Sequence, residues 1–175
     1  ARYLSSVPAL PIEDLGDPGF KKTYQVRCAY YAGSMANGIA SVEMVVALGK
    51  AGLLGSFGAA GLVRSRLESA IHRIQEALPD GPYAANLIHS PMEEALERDA
   101  VDVFLKHGVH VVEASAFIDL TPSIVHYRVA GLSQSGNEEI LITNRVIAKL
   151  SRREVATKFM QPAPQAILDQ LAGEG

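Results

Sequence analysis

Five segments rich in apolar and β-branched residues alternate along this chain with five segments of helical periodicity, and no Asn-Gly or Asp-Gly joins one strand to the next. Strands that are not joined by hairpins must be joined by crossovers, so they run parallel in one sheet. The strands are read at 23–33, 53–57, 82–88, 109–117 and 145–150. Between them, Ser41 is placed to cap the first helix. Ser65 and Glu68 have capping-box spacing before Leu67, Ala70, Ile71, Ile74 and Leu78. Ser90-Pro91-Met92-Glu93 predicts the start of a third helix, with Leu96, Ala100, Val103 and Phe104 inward and Gly108 at its end. Thr121-Pro122 opens a fourth that Gly131 closes, and Ser151 with Glu154 caps a fifth. Pro162 and Pro164 break that helix before a last helical piece, 164–172. Residues 1–22 are proline-rich and aperiodic and are expected to form an arm outside a domain spanning 23–175, and "SQSGNEE" (133–139) is expected to be a polar, mobile loop.

Two architectures accept five βα units. A doubly wound sheet of five strands would be complete at this length, whereas a (β/α)₈ barrel takes about 250 residues, making this roughly five-eighths of one. Composition narrows the function classes. Of 175 residues, 48% are apolar and 20% charged, with a formal net charge of -3. That balance argues against a nucleic-acid surface, which needs clustered Lys and Arg. No segment has the length and apolarity of a membrane span or a signal peptide. The lone Cys28 has no internal disulfide partner, which fits a reducing, cytoplasmic setting. The sequence begins with Ala rather than Met, consistent with processing or trimming.

In both architectures ligands bind at the carboxyl ends of the strands. Here those ends read Gly33-Ser34-Met35, Gly58-Ala59-Ala60-Gly61, Asn86 to His89, Glu113 to Ser115 and Lys149 to Ser151. Small residues at two ends and polar groups at three would suit a flat aromatic cofactor. Glycines between strand and helix also serve as plain turns. "GSFGAAG" lacks the G-x-G-x-x-G spacing of a dinucleotide fingerprint, and "LGKAG" lacks the phosphate-loop pattern. Asn86 within "AANLI" needs hydrogen-bond partners if buried. Glu113 in "VVEASAF" and Lys149 in "VIAKL" each cost several kcal/mol in an apolar strand unless paired. They either pair with each other as structure or share a ligand. Of the histidines, only His89 is at the ligand-binding end, where a lone loop histidine more often faces solvent. His72 and His126 are placed on helices, and His107 and His110 near the far end of the fourth strand. No His, Cys or carboxylate pair has metal-ligand spacing.

The stretches "LGDPGF", "YYAGSMANGIASVEMVVALGKAGLLGSFGAAGL", "PYAANLIHSP", "VDVFLKHGVHVVEASAFIDLTPSIVHYRVAGL" and "RVIAKLSRREVATKFMQPAP" resemble the PfaD-type enoyl reductases of polyunsaturated fatty acid synthases and the trans-acting enoyl reductases of polyketide assembly lines. Both groups are similar to the wider nitronate monooxygenase family. The resemblance runs from about residue 8 to the end. It implies an FMN-binding (β/α)₈ barrel and NADPH-dependent reduction of the 2,3 double bond of an enoyl thioester held on an acyl carrier protein. It further implies that Ala32, Gly33, Ser34 and Met35 lie along the flavin ring, and that Asn86 bonds the ring or its ribityl chain. Lys149 would sit near the flavin's polar edge, supported by Glu113. The family's later strands, with a glycine-glycine-histidine turn and the loops gripping the FMN phosphate, have no counterpart here. The catalytic residues are expected in that later part, and the working polypeptide is expected to be longer than 175 residues. A nitronate-oxidising flavoenzyme and a non-catalytic half-barrel that docks carrier proteins remain open as alternatives, as does a homodimer.

Overall fold

The computed structural model describes residues 5–174; the first four residues of the expected arm and the last residue of the domain lie outside them. Five strands form one parallel sheet in the order β1 (Tyr31–Ala32), β2 (Leu54–Phe57), β3 (Ala84–Ile88), β4 (Val111–Ser115), β7 (Arg145–Ala148). Each strand is added beside its predecessor, so the order never reverses. A doubly wound sheet reverses at a switch point, and the observed order is that of consecutive barrel staves. The chain folds as five strands of a (β/α)₈ barrel.

The crossovers are α2 (Val42–Lys50), α3 (Arg64–Ala77), α4 (Glu94–Lys106) and α5 (Pro122–Ala130), and α6 (Arg153–Phe159) and α7 (Gln165–Gly173) follow the last strand. Alternate residues of a strand point to opposite faces, and the register shows which residues share one. Phe57, Ala85, Leu87, Val112 and Ala114 pack with Ile71, Ile74, Val101, Phe104 and Tyr127 in the larger core, beneath the helices. Each fully buried Ile, Leu or Phe there contributes about 1.5–3 kcal/mol. On the other face, Leu54 and Ala84 form a small apolar floor with Val26, against which Tyr31, Val111 and Ile147 pack. Helix α1 (Pro18–Tyr24), capped by Asp17, closes that floor with Phe20 and Tyr24. The helix-facing layer therefore carries most of the stability, and the inner face above the floor is left for polar groups.

Several local expectations are corrected. The first strand is not 23–33: residues 18–24 are α1, and only Tyr31–Ala32 pair with β2. Ser65 does not cap α3, whose cap position is Val63; Glu68 turns sideways to Arg64 and Lys106 instead. Ser90 begins a turn, since its carbonyl accepts from Glu93 N at 3.0 Å, and α4 starts at Glu94. That start places Leu96 at the surface, 56% exposed, while Glu97 and Val101 join Val103 and Phe104 on the buried side. Ser151 does not cap α6, which begins after Arg152. The polar loop is the tip of an antiparallel hairpin, β5 (Leu132–Gln134) with β6 (Ile140–Ile142), closed by Ser135 N to Glu139 O at 2.9 Å with Glu138 at φ 67°. The hairpin is an excursion between α5 and β7 and leaves the parallel sheet intact. The caps at Ser41 and Thr121 stand as expected, their hydroxyls accepting from Met44 N and Ile124 N.

Candidate functional site

The inner face turns polar toward the carboxyl ends of the strands. Parallel partners Asn86 and Glu113 share this face with Tyr31, Ser56, Ser115 and Lys149. Glu113 is its centre. Its side chain has no exposed surface, yet it accepts from five donors. Oε1 accepts from Ser34 Oγ at 2.7 Å, Lys149 Nζ at 2.9 Å and Ser115 Oγ at 3.1 Å. Oε2 accepts from Ser34 N at 3.0 Å and from the Tyr31 hydroxyl. Burial alone would raise the Glu113 pKa, but the bonds from Tyr31, Ser34 and Lys149 outweigh it and hold the carboxyl at about 2. The same burial, reinforced by the Glu113 bond, pushes the Tyr31 hydroxyl well above its ordinary range. Tyr31 stays a donor and Glu113 an anion.

Lys149 completes the pair expected from sequence, but its surroundings are asymmetric. Its side chain is 57% exposed while Glu113 is wholly covered. An ammonium has three donors; one is spent on Glu113, and the others have no protein partner among the described residues. Asn86, 3% exposed, finds its partners inside the protein: Oδ1 accepts from Ala60 N at 3.3 Å, and Nδ2 donates to Ser115 Oγ at 3.1 Å. Its burial does not of itself demand a ligand. Next to it in the layer, Ser56 Oγ is fully buried with no hydrogen-bond partner among the described residues.

The loops over this layer are stitched together. Ser34 is locked onto Glu113, so the 33–35 segment is fixed relative to β4. Asn37 N donates to Ala60 O at 2.7 Å, Gly38 N to Gly58 O at 2.8 Å and Gly58 N to Ala40 O at 2.9 Å. Gly58 must be glycine for this packing, since a Cβ there would lie 1.8 Å from Met35 O. Gly33 is different. Its Cα is exposed, and an added Cβ would meet only Glu113 Oε2, at 3.5 Å. Met35, half exposed, stands beside it, and Ala32 ends β1 below. The structure thus brings Gly33, Ser34 and Met35 to one rim with Asn86, Glu113 and Lys149, while Ala32, paired with Gly55, turns its side chain toward α2 and reaches the rim only through its backbone.

Tyr31 and a second network were not foreseen. Only register distinguishes the inward Tyr31 from its neighbour Tyr30. His89 faces the helices rather than solvent: Nδ1 lies 2.9 Å from Glu97 Oε2, and the ring stacks on Phe117 at 5.2 Å. Glu97, 3% exposed, also accepts from the Thr121 hydroxyl. This network ties the top of β3 to α4 and α5 on the outside of the sheet. Among the described residues, no group of three or more His, Cys, Asp or Glu could hold a metal, and no helix is long and apolar enough to cross a membrane.

No family model matches the chain. It is 52% identical over 162 residues to a component of the polyunsaturated fatty acid synthase of Thraustochytrium sp., covering 93% of this chain and 11% of that protein. It is 45% identical to the polyketide biosynthesis protein PksE of Bacillus subtilis, covering 93% of this chain and 21% of PksE. The enoyl reductase domain of MlnA, from the macrolactin biosynthesis cluster of Bacillus amyloliquefaciens, superimposes with a TM-score of 0.90 at 38% identity, covering 94% of this chain and 38% of that one. FabK from Thermotoga maritima shares the fold, at a TM-score of 0.60 and 20% identity, over 83% of this chain and 41% of that one. The chain therefore spans about a tenth of its fatty acid synthase relative and under half of either structure. The resemblance carried by the sequence motifs holds over nearly the whole chain.

Proposed function

We infer that this chain, a relative of polyunsaturated fatty acid synthase and polyketide biosynthesis proteins, supplies the first five βα units of a cytoplasmic FMN-dependent enoyl reductase. The reaction is reduction of the 2,3 double bond of an enoyl thioester presented by an acyl carrier protein, with NADPH as reductant. The observation that carries the reading is the polar layer on the inner face, ending in an exposed ammonium, in a chain that matches an enoyl reductase domain across 94% of its length.

The residues present fit a flat, electron-accepting group. Gly33 leaves backbone open to close approach. Lys149 offers unspent donors and a positive charge, Asn86 keeps a second amide hydrogen, and Ser56 Oγ lacks a partner among the described residues. On this reading Ala32, Gly33, Ser34 and Met35 would line one side of FMN, and Asn86 and Lys149 its polar edge. The chemistry that FMN supplies when bound is transfer of a hydride, taken from NADPH, to the β-carbon of the enoyl thioester. Lys149 stabilises negative charge at the open edge of the site. Glu113 positions Lys149 and Ser34 without touching the substrate, and the stitched loops keep the rim rigid.

The full-length protein should be yellow, release FMN on heating, and oxidise NADPH only when an enoyl thioester is added. A colourless full-length enzyme that still reduces the thioester would overturn the cofactor assignment. Oxygen consumption on a nitronate without NADPH would transfer the reading to an oxidase.

A further inference from the structure

A cavity of about 700 Å³ opens beside Asn86 and runs outward between α3 and α4. We propose that this cavity is a binding site for the distal aliphatic chain of the acyl substrate, and that it sets chain-length preference. The proposal rests on the enoyl reductase reading and extends it to the substrate class.

Four observations support it. The volume lies within the range of small-molecule sites, about 300–1,000 Å³. The walls are aliphatic, with Leu67, Leu87, Ala100 and Val103 along the slot and no aromatic ring lining it. A slot with nothing to stack on a ring selects a flexible chain. The apolar lining continues to the mouth, where Val63 is 64% and Leu96 56% exposed, a costly arrangement unless something apolar covers them. The polar lining leaves the slot mainly apolar: the Asn86 amide stands at the inner end beside the proposed reaction site, Arg64, Glu93 and Asp99 are surface residues, and the buried Glu97 carboxylate is already engaged by His89 and Thr121. A thioester at the strand ends with its tail in the slot would match that distribution.

Position in the fold separates this cavity from an open sheet edge. It is walled by the loop after β2, by β3, and by α3 and α4, all within the chain. The larger cavity beside β7, lined by α5 and α6, lies at the sheet's open edge and carries no such inference. The cavity between α2 and α3 is lined by Arg66, Arg73 and Glu43 and is too polar for a chain.

The test uses the full-length protein and two variants. Ala100→Phe fills the slot, and Leu96→Glu places a carboxylate at its mouth from a position exposed enough not to disturb folding. Turnover is compared on crotonyl and 2-dodecenoyl thioesters, and binding of the unreactive dodecanoyl thioester is measured by calorimetry. Both variants should keep kcat/KM for the crotonyl substrate within about twofold. They should lose at least about tenfold for the dodecenoyl substrate, the equivalent of roughly two methylenes left unburied. Dodecanoyl affinity should fall in parallel. Equal effects on both chain lengths, or none, would overturn the site. If Ala100→Phe does not fold, Leu96→Glu decides alone. If the parent reduces neither thioester, the enoyl reductase reading fails, and the calorimetric comparison still decides whether the slot binds an aliphatic chain.

Discussion

Burying a carboxylate normally costs several kcal/mol, and at Glu113 the chain meets that cost with five donors rather than one lysine. Were Lys149 and Glu113 only a structural pair, removing Lys149 would strand the carboxylate. In the structure it would not: Tyr31, both donors of Ser34 and Ser115 remain. Lys149→Met should therefore cost only about 1 kcal/mol, as for a largely exposed ion-pair partner, while lowering flavin affinity. Glu113→Gln replaces an acceptor with a group that also donates, and should cost about 3–5 kcal/mol. The pH dependence separates the two further. The Glu113 pKa is depressed from 4.5 to about 2 on folding, so its contribution is complete above 4.5 and is lost as pH falls toward 2. Denaturant unfolding of the full-length protein across that window should show a steeper acid loss for the parent than for Glu113→Gln. Equal slopes would mean that Glu113 is not the titrating group.

At the scale of elements, the loops after β1 and β2 behave as one unit, because Gly58 touches the backbone of residue 35 and hydrogen-bonds across the junction. Gly58→Ala inserts a methyl against Met35 O and should cost about 1–3 kcal/mol by overpacking. It should also weaken flavin binding without loss of Lys149 or Asn86; a variant with parental stability and affinity would show that the loops move independently. The elements differ in how legible they are from sequence. Apolar runs broken only by isolated polar residues, such as "AANLI", mark β3 and β4, because strands buried on both faces carry apolar residues on nearly every position. Ser41 and Thr121 announce their helices because their hydroxyls act within the next three residues. Ser65, Ser90 and Ser151 carry the same signal, yet the chain enters those helices at Arg64, Glu94 and Arg153, where packing fixes the start. The hairpin at 132–142 has no Asn-Gly to betray it, since its turn relies on Glu138 at positive φ. Asn86, Glu113 and Lys149 were legible as polar groups in apolar strands. Tyr31 was not, since an aromatic residue in a strand looks like core. The His89–Glu97–Thr121 network escaped because its members lie on three elements and meet only when α4 and α5 pack.

For the whole molecule, the decisive feature is a curved sheet with two ends. β1 and β7 each have one hydrogen-bonded neighbour among the described residues. Unpaired strand edges template association. Beside β7 a further cavity of about 900 Å³, lined by Leu120, Ile124, Val146, Phe159 and Leu168, leaves apolar side chains under-covered. A polypeptide of these 175 residues expressed alone should bind a hydrophobic dye and self-associate, whereas the full-length protein should do neither. Sedimentation analysis of both would decide; a monodisperse, dye-silent 175-residue monomer would show that five staves suffice.

The one-directional strand order also has a consequence during synthesis on the ribosome. Each stave docks on one already emerged, so the sheet grows from a single edge in the order of translation. The Glu113 cluster draws on staves that emerge far apart in that schedule. Tyr31 and Ser34 precede the carboxylate by 82 and 79 residues, and Lys149 follows it by 36. The acid is thus docked against hydroxyls first and receives its cation last, which makes Lys149 the latch that closes on an inner face assembled before it.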